Sequence, residues 1–212
     1  MLDRSLRGLL SRPLEAMAAA VDRPGITPDG LTITGLVLGL GSAAAAGFQL
    51  WWVALALWLV SRVADGLDGT LARRRRRRAS TDAASAPSHA GGFLDITADF
   101  VVYGATVVGV AFGATAGYGA PWWPFLLVLL AYYVNGTAFL AFSSIAERTG
   151  RTIDDGRSLS FLGRIAEGTE TIAVHALWLI LPFWAWQIAL VWAVFVAVSA
   201  VQRIVAGYRA LR

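Results

Sequence analysis

The chain reads as an all-α, polytopic membrane protein: six transmembrane helices preceded by an interfacial amphipathic helix. Three observations predict this. Of 212 residues, 57% are hydrophobic and 15% are charged, with a mean hydropathy of +0.59, whereas soluble domains carry about 25% charged residues. Six apolar segments approach or exceed the roughly 20 residues needed to cross a hydrocarbon core. The basic residues number 18, all of them Arg, and they gather in the connections at one side of those segments. Without cysteine there is no disulfide framework, zinc-thiolate site or thiol nucleophile.

Residues 1–25 form a juxtamembrane amphipathic segment and 26–212 the membrane domain. In the first, Leu2, Leu6, Leu9, Leu10, Leu14, Met17 and Val21 recur at helical spacing with Arg4, Arg7 and Arg12 interleaved. That pattern suits a helix lying on a membrane surface, kinked at Pro13, and lacks the uninterrupted apolar core of a signal peptide. The spans are predicted near 30–48, 51–72, 93–113, 122–145, 166–182 and 183–206. The first is rich in Gly and Ala, as close helix packing in lipid requires. The second enters through Trp51 and Trp52 and the fourth through Pro121-Trp122-Trp123-Pro124, both interfacial aromatic anchors. Asn135 in the fourth is expected to make an interhelical hydrogen bond. The fifth and sixth form a tight hairpin around Leu181-Pro182-Phe183.

Arg4, Arg7, Arg12 and Arg23 precede span one; Arg62 and Arg73 to Arg78 lie at or beyond the end of span two. Arg148, Arg151, Arg157 and Arg164 separate spans four and five, and Arg203, Arg209 and Arg212 close the chain. The positive-inside rule then places both termini in the cytoplasm. The sequence pI near 10.1 suggests nucleic acid, but arginines set between apolar segments mark topology and anionic lipid instead, so no nucleic-acid partner is expected. Residues 74–90 read as a flexible cytoplasmic insertion, with a small, polar linker from Ala79 to Ala90 in which His89 faces solvent.

The chemistry lies between Asp65 and Asp99. Asp65 and Asp68 are three residues apart, Asp95 and Asp99 four, so on helices each pair occupies one face. Four carboxylates turned on one another repel and lose solvation unless divalent cations lie between them. Oxygen-only donors suit Mg²⁺ or Mn²⁺, and Mg²⁺ usually brings a phosphate with it. Ionisable groups at this depth are functional by default. Arg73, five residues past Asp68, adds a guanidinium suited to a diphosphate.

The stretch resembles the signature of the CDP-alcohol phosphatidyltransferase family, Asp-x2-Asp-Gly-x2-Ala-Arg, a spacer, then Gly-x3-Asp-x3-Asp. All its fixed positions are present: Asp65, Asp68, Gly69, Ala72, Arg73, Gly91, Asp95 and Asp99. The departure is the spacer, 17 residues from Arg74 to Ala90 and longer than the family pattern, which enlarges a loop while leaving both helical faces intact. The resemblance implies transfer of a phosphatidyl or phosphoalcohol group from a CDP-alcohol, usually CDP-diacylglycerol, to an acceptor hydroxyl, with release of CMP, in phospholipid biosynthesis. It further implies two Mg²⁺ or Mn²⁺ ions on Asp65, Asp68, Asp95 and Asp99, with Asp99 as general base. Gly69, Ala72, Arg73 and Gly91 would contact substrate. The acceptor would be a small or lipid alcohol, and a homodimer in the bacterial inner membrane is implied, with the active site at the cytoplasmic face.

Outside the signature, Gly25-Ile-Thr-Pro-Asp29-Gly-Leu-Thr32 resembles the family's approach to the first span, which makes Asp29 and Thr32 candidate substrate-binding residues; Asp29 is otherwise a helix cap. Gly163-Arg-Ile-Ala-Glu167-Gly-Thr-Glu170-Thr171 resembles a motif of a bacterial inner-membrane branch. Glu167 and Glu170 either bind an acceptor or are helix N-terminal charges. His175 reads as a packed intramembrane histidine. The competing class is a divalent-cation transporter, which places its ligands near the bilayer midplane; here they sit at one face beside Arg73.

Overall fold

The computed structural model describes residues 2–79, 89–149 and 168–212, and among these every regular element is helical. The order is α1 (Leu2–Val21), α2 (Pro28–Gly47), α3 (Trp51–Ala79), α4 (His89–Tyr118), α5 (Trp123–Arg148) and α6 (Gly168–Ile180). A single 3-10 turn (Pro182–Trp184) then leads into α7 (Ala185–Leu211).

Local sequence sets the boundaries. Thr27 caps α2, its Oγ1 accepting the Gly30 N–H at 3.0 Å, and Pro28 opens the first turn, where a missing N–H costs nothing. Asp29 stands in that turn but Thr27 is the cap. At the other end Gln49 takes φ of 62°, with its N–H on the Ala46 carbonyl and that of Leu50 on the Ala45 carbonyl. This is a Schellman closure built on a residue other than glycine, and it throws the chain straight into α3. Gly119, at φ of 66°, ends α4 just ahead of Pro121.

Helices α2, α3 and α4 pack as one group and α5 with α7 as another, with α6 lying against α3. The first group is held by small residues. Ser42 Oγ donates to the Ala54 carbonyl at 2.7 Å and Ser61 Oγ to the Gly35 carbonyl at 2.6 Å. A Cβ built at Gly109 would fall on the Ala43 carbonyl oxygen, and one at Gly113 on that of Ala46, so α4 touches the backbone of α2 over a full turn. Gly109→Ala is therefore expected to destabilise the protein by roughly 2 kcal/mol, because backbone must move. Gly104→Ala, where an added Cβ meets nothing within 4 Å, is the control; thermal unfolding in detergent should fall several degrees for the first only. Trp58, Phe125, Trp178 and Val196 fill the space between the groups, and Trp58 Nε1 donates to the Ile172 carbonyl of α6 at 3.2 Å.

Large apolar side chains also point outward along the helices, with Val37 62% and Val201 60% exposed. That is the surface of a protein solvated by lipid. Among the described residues four helical segments are long and apolar enough to cross a membrane: α2, α4, α5 and 182–211. Helix α3 has the length but carries Arg62, Asp65 and Asp68 within its apolar stretch. Helix α6 has 13 described residues, about 20 Å of rise, which is short of a bilayer core.

One expectation changes. The insertion read as a loop from residue 74 is helical as far as Ala79, and His89 and Ala90 already belong to α4; residues 80–88 lie outside the described ones. Arginine is a good helix former and favours a helix C-terminus, and Asp22 secures the extension. That carboxylate meets Arg78 Nη1 at 2.7 Å, Arg75 Nε at 3.0 Å and Arg74 Nε at 3.3 Å. The Arg75 hydrogen bond is the largest influence holding the Asp22 carboxyl below the usual carboxylate range. Pro13 lies inside α1, which runs from Leu2 to Val21.

Candidate active site

Three helices bring the aspartates together. Asp65 and Asp68 project from α3, Asp95 and Asp99 from the first turns of α4, and α2 covers Asp68. One carboxylate oxygen each from Asp65, Asp68 and Asp95 lies within 4.8 Å of the others. Asp68 is the most enclosed, 5% exposed. Its Oδ2 accepts from Thr32 Oγ1 at 2.5 Å, and its Oδ1 from the Gly69 N–H. Thr32, a substrate-binding candidate by sequence, is thus buried and spends its hydroxyl on orienting Asp68.

Asp99 has a different partner. Its Oδ1 accepts from Arg62 Nη1 at 2.6 Å, while Asp65 lies 3.8 Å from the same nitrogen. Arg62 is itself 8% exposed. Its guanidinium lies 5.1 Å from the ring centre of Trp58 and 5.3 Å from that of Tyr103, and Nη2 donates to Ser61 Oγ at 3.0 Å. Rings accept a desolvated cation on their faces, which is how α3 keeps a charge at this depth. Tyr103, one turn past Asp99, also reaches Arg62 Nη1 at 3.5 Å. Sequence reasoning passed over Tyr103; the signal was its four-residue spacing from Asp99.

The remaining candidates lie around this centre. Arg73 is exposed at the rim, with Nη2 donating to Thr70 Oγ1 at 3.1 Å. A Cβ at Gly69 would come within 3.2 Å of Arg73 Nη1, so glycine there lets the guanidinium fold back over α3. Ala72 and Gly91 are half-buried and Asp29 is exposed. His175 is fully buried, its ring 4.8 Å from those of Trp58 and Trp178 and its Nε2 3.3 Å from the Tyr132 hydroxyl. It packs, as expected. Glu170 sits in the first turn of α6 with Oε2 buried and without a hydrogen-bond partner among the described residues. Glu167, Arg151, Arg157 and Arg164 lie outside the described residues. Asn135 makes an interhelical hydrogen bond through its backbone, the carbonyl accepting from Arg203 Nη1 of α7 at 3.5 Å.

The donor set fits a hard divalent cation. Three carboxylates converge with Arg62 as their buried counter-charge, an arrangement that leaves excess negative charge in a poorly solvated place.

Fold and site together define a helical membrane protein with a cluster of carboxylates gathered between α3 and α4. The chain belongs to the CDP-alcohol phosphatidyltransferase family, whose model matches residues 25–199, and it is accordingly a transferase. It is 35% identical over 217 residues to the inner membrane protein YnjF of Escherichia coli, covering 100% of this chain and 98% of that one. It is 30% identical over 158 residues to the phosphatidylinositol phosphate synthase of Mycobacteroides abscessus, covering 71% of this chain and 66% of that one. The crystal structure of the Mycobacterium tuberculosis phosphatidylinositol phosphate synthase with CDP-DAG bound superposes with a TM-score of 0.70. It is 20% identical, covering 93% of this chain and 94% of that chain, a likeness of fold. Membership in an enzyme family sets the transporter reading aside.

Proposed function

We propose that the protein transfers a phosphatidyl group from a CDP-alcohol, CDP-diacylglycerol first among them, to an acceptor hydroxyl with release of CMP. The observation that carries this reading is the convergence of Asp65, Asp68 and Asp95 on one point, built from a family signature with no fixed position missing. Asp65, Asp68 and Asp95 would hold Mg²⁺ or Mn²⁺, with Asp99 completing a two-ion set. Bound there, such ions neutralise a diphosphate and the charge developing on departing CMP.

The chain's own groups supply the rest. Thr32 and the Gly69 N–H fix Asp68, so its carboxylate is in place before substrate arrives. Arg73 offers the diphosphate a fork of donors at the rim, and Gly69 and Gly91 let the donor approach the helix backbones. Asp99 accepts the acceptor's proton as that oxygen bonds to the lipid-side phosphorus and the bond to the CMP oxygen breaks. Asp29, exposed at the start of α2, borders the nucleotide side.

The setting proposed for this chemistry is a six-span bundle in the bacterial inner membrane, with α3 and α6 completing the four apolar spans, α1 on the surface and both termini cytoplasmic. The gathering of Asp22, the arginine-bearing end of α3 and the start of α4 at one end supports it. Acyl chains then stay in lipid while the nucleotide remains in water. A homodimer, as the resemblance implies, belongs to this proposal.

The test is CMP release from radiolabelled CDP-diacylglycerol by purified protein with Mg²⁺ and a panel of acceptors, products being read by mass. Glycerol phosphate, inositol phosphate, serine and phosphatidylglycerol form the panel. Metal-dependent CMP release with one acceptor is the expected result; no release with any, or undiminished release in excess chelator, overturns the reading.

A further inference from the structure

Half of the six-arginine run at the end of α3, Arg74, Arg77 and Arg78, turns away from the aspartates. At about 100° per residue, the mean direction of Thr70, Arg74, Arg77 and Arg78 lies roughly 165° around the helix from that of Asp65 and Asp68. On this far side, between α3 and α1, is a cavity of about 340 Å³ lined by Glu15, Thr70, Arg74, Arg77 and Arg78. Three guanidiniums and a hydroxyl line it against a single carboxylate. Asp22 ties Arg74 and Arg78 at one edge, at 3.3 and 2.7 Å, and so fixes their heads instead of leaving them to sweep through solvent. Glu15 meets Arg77 Nη2 at 3.4 Å as an exposed pair, which competes weakly with a bound anion.

We propose that this groove is a second binding site, for a phosphate group, on the opposite face of α3 from the carboxylate centre. The chemistry is specific in kind. Planar guanidiniums donate paired hydrogen bonds to phosphate oxygens, and three of them held on one helical face match a multiply charged anion better than a carboxylate. Position adds to this. Arg74 lies about 9 Å and Arg78 about 15 Å beyond Asp68 along α3, at the level where the helix leaves the apolar part of its sequence and where lipid phosphates lie. Thr70 links the groove to the active-site rim, because the hydroxyl that lines it also accepts from Arg73. The phosphate has two possible sources, an anionic lipid headgroup or a soluble phosphate compound, and both present the same oxygens.

The experiment uses the full chain in phosphatidylcholine nanodiscs and does not depend on the transfer reaction. One arm adds graded phosphatidic acid and counts retained lipid by native mass spectrometry; the other titrates inorganic phosphate and follows ³¹P line width. The double variant R74Q/R77Q removes two lining guanidiniums, and R76A/R12Q removes the same charge from exposed arginines that do not line the cavity. Melting temperature checks that both variants fold. At least a tenfold weakening in R74Q/R77Q, with near-native binding in R76A/R12Q, is expected. If it appears in the phosphatidic acid arm the site takes a lipid headgroup; if only in the phosphate arm, a soluble ligand. Equal weakening in the two double variants would reduce the effect to diffuse charge, and absence of binding to the parent protein in both arms would also overturn the proposal.

Discussion

Asp68→Asn is expected to lower turnover at least about a thousandfold without unfolding the protein. The substitution is nearly isosteric, and the remaining amide oxygen can still accept from Thr32 or the Gly69 N–H, so packing around α2 and α3 is kept. What disappears is one negative charge from a set of converging carboxylates. Loss of a cation ligand there removes several kcal/mol of charge stabilisation, and about 4 kcal/mol is a thousandfold in rate. Asp65→Asn and Asp95→Asn should behave alike, since each supplies an oxygen to the same group. CMP release under saturating Mg²⁺, with far-UV circular dichroism as the fold check, makes the measurement. Full activity in any of the three variants would sink the assignment of these residues.

Asp68 also shows where sequence reading stops. Spacing alone puts Asp65 and Asp68 on one face and Asp95 and Asp99 on another, and hydropathy supplies the helices. Neither says that Thr32 closes over Asp68, because that contact depends on how α2 crosses α3. The crossing is set by the backbone contacts that glycine and serine permit, such as Ser61 on the Gly35 carbonyl. Arg62 was legible as a charge near the site, but its closer approach to Asp99 than to Asp65 depends on helix rotation and on the Trp58 and Tyr103 faces that flank it. The arginine run was legible as a basic cluster; that it continues α3 required Asp22, fifty-odd residues earlier, to meet it. Local periodicity finds elements and faces, while long-range polar contacts decide what each face does.

Asp99→Asn is expected to separate binding from chemistry. Asp95 and Asp99 stand one helical turn apart, so both can face the diphosphate from α4, yet Asp99 lies about 6 Å further along the helix. Among the described residues the converging group is Asp65, Asp68 and Asp95, and the Asp99 carboxylate is held by Arg62 at 2.6 Å. A carboxylate pinned by one oxygen keeps the other for a proton, the geometry a general base requires. An amide in its place can still accept from Arg62 and ligate weakly, but it cannot take a proton. Asp99→Asn should then retain Mg²⁺-dependent CDP-lipid affinity within a few-fold and lose transfer by about a hundredfold to ten-thousandfold, the usual range for removing a positioned base. Asp95→Asn should instead weaken Mg²⁺ and CDP-lipid binding themselves. Metal-dependent CDP-lipid affinity and single-turnover rate, measured side by side on the two variants, distinguish the roles. Equal loss of binding in both would make Asp99 a metal ligand first, and the proton would then need another acceptor.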